Sequence, residues 1–227
     1  MIIITGAARG IGKYLFDEFV KSGETVYGTY NVTPPNTDDK EYLAQVDISN
    51  HLAVEEWVKN IRNNIKKVTL INCAGVNYNA FAHKADINEW SRVINVNLIG
   101  TFNVTSKFLP IMREECYGRI INFSSIVAQT FVPGTSAYAA SKAGLWGLTR
   151  SIAIENASKG ITINNLNLGY FDIGMIEEVP LEHRDMLKRK IPTGELCEPE
   201  EIYRTIRLLM ESNNINGTSI DINGALV

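Results

Sequence analysis

Cysteine is scarce in this 227-residue chain: Cys73, Cys116 and Cys197 are odd in number, far apart and without a C-x-x-C spacing. That excludes a disulfide framework, a zinc ribbon and a dithiol redox motif, and it predicts free thiols in a reducing compartment. Histidine is as rare, with 3 residues, and no His/Asp/Glu cluster shows ligand spacing, so no metal is expected. A basic excess is missing too: 22 Lys and Arg against 25 Asp and Glu give a net charge of -3, which argues against a nucleic-acid surface. The run Lys188, Arg189, Lys190 reads as a solvated helix face. No stretch reaches the ~18 apolar residues of a membrane span. The opening MIIITG has no basic segment followed by a long apolar one. The expectation is a cytoplasmic protein without a membrane partner.

What is present is the composition of an ordinary globular chain, 45% hydrophobic and 21% charged. Short apolar runs alternate with longer helical patterns: IIIT at 2–5, TVYGTY at 25–30, VTLIN at 68–72, RIINFS at 119–124, ITINNLN at 161–167 and TSIDI at 218–222. A shorter run, LAQVD at 43–47, follows a polar loop with Pro34, Pro35 and two aspartates, and reads as a further strand. Ile11, Leu15, Phe16, Phe19 and Val20 form one stripe that closes at Gly23, as a crossover helix should. Further helices are expected over 51–64, 87–115, 137–158 and 198–211. This rhythm predicts an α/β fold, a doubly wound parallel sheet of about seven strands with helices on both faces. No repeat or linker composition divides it, so residues 1–227 are read as one domain.

Directly after the first strand comes T-G-A-A-R-G-I-G, residues 5–12. In a strand–turn–helix context such glycines let the backbone approach a pyrophosphate, while the new helix aims its free N–H groups at it. Further on, SAYAASKAG places Tyr138 and Lys142 one helical turn apart. Either a phenol and an ammonium coincide on a surface helix, or the cation is there to lower the phenol's pKa and make it an acid or base near neutral pH.

Taken together, T-G-x-x-x-G-x-G and Tyr-x-x-x-Lys resemble the short-chain dehydrogenase/reductase family, and the resemblance runs from Ile2 to about Ala225. It implies a Rossmann-type fold and an NAD(P)-dependent oxidoreductase acting on a small carbonyl or alcohol substrate. It carries the roles of catalytic residues to Asn97, Ser125, Tyr138 and Lys142. Tyr138 becomes the proton donor, Ser125 an orienting hydrogen bond and Lys142 both a charge that lowers the Tyr138 pKa and a hold on the ribose hydroxyls. Asn97 binds a water that completes a proton relay. Ser125 stands thirteen residues before Tyr138, the family's usual separation. Cofactor contacts fall on Gly6, Arg9, Gly10, Ile11, Gly12, Tyr30, Asn31, Asp47, Ile48, Asn72, Ala74, Gly75, Tyr138, Lys142, Gly169 and Phe171. Asp47 admits a second reading, as cap of a helix from Ser49 onward. Cys73 replaces the second Asn of the family's Asn-Asn-Ala-Gly.

The end of the second strand carries Tyr30, Asn31 and Thr33 but no acid to bind a free ribose 2′-hydroxyl, and the resemblance gives Arg9 the place of a basic residue that often contacts the 2′-phosphate in NADP-using relatives. NADP(H) is therefore preferred over NAD(H). Leu168 and Ile173 depart from the family's Pro and Thr near the nicotinamide carboxamide, which leaves backbone groups around Phe171 to hold it. The stretch 175–197, with Glu177, Glu178, His183 and Arg184, reads as a lid over the site or as a solvated helix. IPTGELCEPEEI at 191–202 is similar to bacterial 3-oxoacyl-acyl-carrier-protein reductases and their sugar, sterol and polyol relatives. The family implies a ketone reduction, of a 3-oxoacyl thioester or a small polar ketone, in a homotetramer or homodimer. An NAD-linked dehydrogenase running toward oxidation and a non-catalytic dinucleotide-binding regulator are the alternatives.

Overall fold

The computed structural model describes every residue except 37–41, 131, 175 and 177–178. Seven strands, β1 (Ile2–Thr5), β2 (Val26–Tyr30), β3 (Leu43–Gln45), β4 (Thr69–Asn72), β5 (Gly118–Ser125), β6 (Ile161–Leu168) and β7 (Ser219–Ile222), form one sheet in the order β3-β2-β1-β4-β5-β6-β7. Every pairing is parallel. The expected strands are all present; β3 is shorter than LAQVD suggested, ending at Gln45.

Side chains alternate across the strands, and the sheet buries both faces. Ile2, Ile4, Ile71, Ile121 and Phe123 pack against α1 (Gly10–Lys21), through Leu15, Phe16 and Phe19, and against α7 (Pro199–Glu211), through Ile202, Ile206 and Leu209. On the other face Ile3, Leu70, Ile120 and Ile163 meet α2 (His51–Ile61), α4 (Thr101–Glu115) and α5 (Ser136–Asn156). Trp57 of α2 and Phe108 of α4 close that layer edge to face, with ring centroids 5.7 Å apart.

The helix expected over 87–115 is helical throughout but not uniform. It comprises α3 (Ile87–Ile94), a π-helical segment Asn95–Gly100 and then α4. Such widened turns often mark functional sites. The charged stretch at 181–190 forms helix α6 (Leu181–Lys190) with no buried residue. Glu177 and Glu178, and the aspartates of the loop before β3, lie outside the described residues. Helix α2 is capped by Asn50, whose side chain accepts from the amides of Leu52 and Ala53. Asp47 therefore does not cap a helix from Ser49; its carboxylate accepts from the Ser49 amide and hydroxyl.

The strand order turns back at β1, which pairs with β2 on one side and β4 on the other. In open parallel sheets the crevice at the carboxyl ends of two such strands is where ligands bind.

Candidate active site

Two chain segments leave the sheet at this crevice. After β1, Gly6 and Gly10 adopt positive φ, +71° and +54°, which glycine takes without strain. A Cβ on Gly12 would lie 2.1 Å from the carbonyl oxygen of Gly6, so α1 packs directly on the turn. After β4, the amide of Ala74 donates to Thr5 Oγ1 at 3.1 Å and ties the second segment to the first. Arg9 stands exposed at the N-cap of α1, with no acidic residue in the first turn to offset the helix's positive end. Side-chain-free backbone at a helix N-terminus fits a pyrophosphate. At the end of β2, Tyr30 is half-buried, Asn31 is exposed, and neither carries charge.

The residues expected to do chemistry converge beside this cradle. Ser125 ends β5, buried, with Oγ accepting from the Val127 amide. Tyr138 and Lys142 project from the sheet side of α5, and both are buried. Lys142 Nζ donates to the carbonyl of Phe123 at 2.6 Å and lies 5.5 Å from the Tyr138 ring centroid. Val76, Tyr78, Trp90 and Val127 wall the Tyr138 cluster. Asn97, fully buried in the π-helical segment, accepts from the Val76 amide and donates to the Val76 carbonyl and to Ser141 Oγ. Both its donors are thereby used, and Oδ1 is the part of its side chain turned toward the site. A Cβ on Gly75 would lie 3.4 Å from that Oδ1 and 3.6 Å from Lys142 Nζ, so glycine there keeps the three groups within one small space.

The electrostatics differ from expectation in one respect. Burial pushes the Tyr138 phenol up to about 12, against a smaller opposing pull from Ser125. Burial likewise pushes the Lys142 ammonium down to about 8. The Lys142 charge therefore does not bring Tyr138 below its ordinary value: desolvation dominates, and the ammonium is directed to the Phe123 carbonyl. Cys73, in the same enclosure, is pushed up to about 12 by burial, with Lys142 pulling the other way.

Other expected contacts sit at the margin. Asp47 is exposed, and Ile48 is buried against Gly100, whose Cβ would come within 2.8 Å of Ile48 Cγ1. The Asn72 amide donates to Thr105 Oγ1 and Asn122 Oδ1, inside the sheet. Gly169 packs on Asn223, and Phe171 is buried in the core and bridges to Cys197. Leu168, in place of proline, is buried between Ser125 and Ile222 in the strand register. Gly174 adjoins the glycine turn, 3.0 Å from where a Cβ on Gly10 would stand. A cavity of about 350 Å³ beyond β7, lined by Glu195, Glu198, Glu201 and Asp221 among others, contains none of the site residues.

Sequence reasoning missed a set of polar residues under the site. Ser124, Trp146, Thr149, Asn165 and Asn167 stitch α5 to the sheet. The signal was available: ITINNLNL puts three asparagines into a strand whose eight residues are all buried, where an aliphatic run is the norm.

The family model for short chain dehydrogenase matches residues 1–183. This chain belongs to the short-chain dehydrogenase family. An acetoacetyl-CoA reductase of Shinella zoogloeoides is 34% identical, over 98% of this chain and 96% of the relative. A 3-oxoacyl-acyl-carrier-protein reductase of Thermotoga maritima is also 34% identical, over 99% and 96%. An acetoacetyl-CoA reductase of Rhizobium meliloti is 33% identical, over 98% and 96%. The protein is thus an NAD(P)-dependent short-chain dehydrogenase/reductase, an oxidoreductase on a Rossmann-type sheet. Among the described residues no helix is long and apolar enough to cross a membrane, and no group of His, Cys, Asp and Glu is placed to hold a metal ion.

Proposed function

We propose that the protein reduces a ketone to a secondary alcohol with NADPH, with a 3-oxoacyl thioester as the first substrate class and a small polar ketone as the second. The observation that carries this reading is the convergence of Ser125, Tyr138 and Lys142 beside the glycine turn. The bound nicotinamide dinucleotide supplies the hydride. Gly6, Arg9, Gly10, Ile11 and Gly12 would hold its pyrophosphate, with Asn72, Ala74, Gly75, Asp47 and Ile48 on the adenosine side, and Tyr138, Lys142, Gly169 and Phe171 near the nicotinamide.

Tyr138 donates its phenolic proton to the ketone oxygen as negative charge develops there, and Ser125 hydrogen-bonds the same oxygen and orients it. A phenol raised to about 12 is fully protonated at neutral pH, the form that acts as acid in the reductive direction. Lys142 contributes charge beside the site, and Asn97 fixes Val76 and presents Oδ1 near Lys142. Neutral Tyr30 and Asn31, with Arg9 across the turn, support NADPH over NADH. The activities for which the relatives are named support the thioester class. So does an apolar rim: Phe81 and Val132 are exposed on two loops joined by the Ala80 amide and the Gly134 carbonyl at 2.8 Å. Exposed Phe102 of α4 and Ile154 of α5 support a homotetramer or homodimer built on those helices.

The test is nicotinamide absorbance with acetoacetyl-CoA as substrate, NADPH and NADH in parallel. Consumption with NADPH and little with NADH is the expected outcome. Binding of NADPH without consumption would move the reading to a polar ketone, and failure with every ketone to a non-catalytic dinucleotide-binding protein.

A further inference from the structure

Asn167 lies near the end of β6, 1% exposed, in register with Ser124 of β5 and Asp221 of β7. A buried amide is costly unless both ends are partnered, and here both are. Its Oδ1 accepts from the Trp146 indole at 3.2 Å, and its Nδ2 donates to Asp221 at 2.7 Å. The same indole N–H reaches Ser124 Oγ at 3.2 Å, and Ser124 Oγ donates to the carbonyl of Lys142 at 3.1 Å. At the other end, Asp221 accepts from Gln129 at 3.3 Å. Gln129 follows the single turn Ile126–Ala128 that begins at Ser125. The circuit therefore closes: from Ser124 through Trp146, Asn167 and Asp221 to Gln129, and along the chain back to Ser125.

We infer that Asn167 is a positioning residue, which sets Ser125 and Lys142 relative to one another through Trp146 on one side and Asp221 and Gln129 on the other. The inference rests on the roles given above to Ser125, Tyr138 and Lys142. A second polar stitch makes a natural contrast. Thr149 accepts from Asn122 and donates to Asn165, which donates to Ser219. That circuit joins the same helix and sheet without touching Ser125, Lys142 or the turn after β5.

The test compares Asn167→Leu, Trp146→Phe and Thr149→Val in the full chain, with NADPH and acetoacetyl-CoA. Trp146→Phe removes the indole N–H together with one of its two rings and leaves Asn167 in place, so it decides the question if Asn167→Leu does not fold. Both circuit variants should lose about 10- to 100-fold in kcat, the scale of a sub-ångström to ångström misplacement, with NADPH affinity held within about twofold. Thr149→Val should lower the melting temperature and keep kcat. The double variant Asn167→Asp with Asp221→Asn reverses the donor and acceptor of the link while keeping the indole's acceptor, and should recover most of the lost kcat. Hydrogen exchange supplies a readout independent of turnover: the amides of 126–129 should exchange faster in the circuit variants than in wild type or Thr149→Val. Unchanged kcat and unchanged exchange in a folded circuit variant would overturn the inference, as would equal kcat losses in all three. Tyr138→Phe with full activity would instead overturn the roles on which it rests. If the wild-type enzyme leaves acetoacetyl-CoA untouched, the thioester reading falls and the exchange comparison alone decides the circuit.

Discussion

The ammonium of Lys142 is bound to the carbonyl oxygen of Phe123 at 2.6 Å, and so is anchored to the strand that ends in Ser125. One polar contact to a neutral carbonyl does not offset complete burial, and the group sits at about 8 instead of the ordinary 10.5. The geometry of β5 thus sets where this charge stands, and burial sets over what pH range it exists.

That range gives the first prediction. Tyr138 holds its proton to about 12, so the acid is available at every ordinary pH, whereas Lys142 loses its charge through about 8. The ratio kcat/KM for reduction should be flat below about 8 and fall above it, and Lys142→Met should lower it and remove the break. A flat profile to pH 10 in the wild-type enzyme would show that the Lys142 charge is not used. The linked stability effect has a definite sign. Between about 8 and 10.5 the unfolded chain binds more protons at this site than the folded one, so the destabilisation due to Lys142 is present below 8 and is relieved as pH rises to 10.5. Thermal unfolding of wild type and Lys142→Met across that window measures it, the advantage of the variant shrinking as pH rises.

Glycine positions separate cradle from surface. At Gly12 an added Cβ would stand 2.1 Å from the Gly6 carbonyl oxygen, and backbone cannot yield that far without opening the turn. At Gly147, on the exposed side of α5, it would meet nothing within 4 Å. Gly12→Ala should lose NADPH binding by two orders of magnitude or more, or fail to fold. Gly147→Ala should raise stability by about 0.5–1 kcal/mol, the helix-propensity difference. Calorimetric titration and thermal melts on the pair are the check, and tight NADPH binding by folded Gly12→Ala contradicts the cradle.

How much of this could be read beforehand depends on which physical signal each residue leaves in one dimension. The strands are legible as short apolar runs because both faces of the sheet are covered. The glycine turn is legible because its order, strand then glycines then helix, restricts what it can be. Tyr138 and Lys142 are legible by helical spacing. The pKa direction was not, because it depends on burial that no local pattern encodes. Lys142 read as a cation beside a phenol, but in three dimensions it turns to Phe123, nineteen residues away in the chain. The Asn167 circuit escaped for a related reason: asparagine in a strand reads as a weakness unless its partners on α5 and β7 are known. Helix α6 carried two open readings because its charge pattern fits a lid and a solvated face equally.

Cofactor choice is predicted to rest on the neutral end of β2. A carboxylate at Asn31, which is exposed and one residue past Tyr30, would face a ribose 2′-phosphate with like charge. Asn31→Asp should weaken NADPH by about 10- to 100-fold and leave NADH equal or better, the 1–3 kcal/mol expected of one unfavourable charge contact. The ratio of kcat/KM values with the two cofactors reads this directly, and a ratio that does not move assigns the preference elsewhere.

The sharpest prediction concerns the phenol itself. Tyr138→Phe removes one oxygen from a buried side chain, keeps the ring packed against Val93 and Ala137, and leaves the glycine cradle untouched. The variant should fold, bind NADPH with affinity within about twofold of wild type, and lose reductase turnover by 10²–10⁴-fold or more, the usual worth of a general acid in place. Turnover and NADPH titration on the same sample separate the outcomes. Loss of both binding and activity means the phenol supports the cofactor; loss of activity alone places it at the reacting oxygen; retention of both removes Tyr138 from the chemistry and leaves Ser125 and Lys142 without the proton donor that gives their arrangement its purpose.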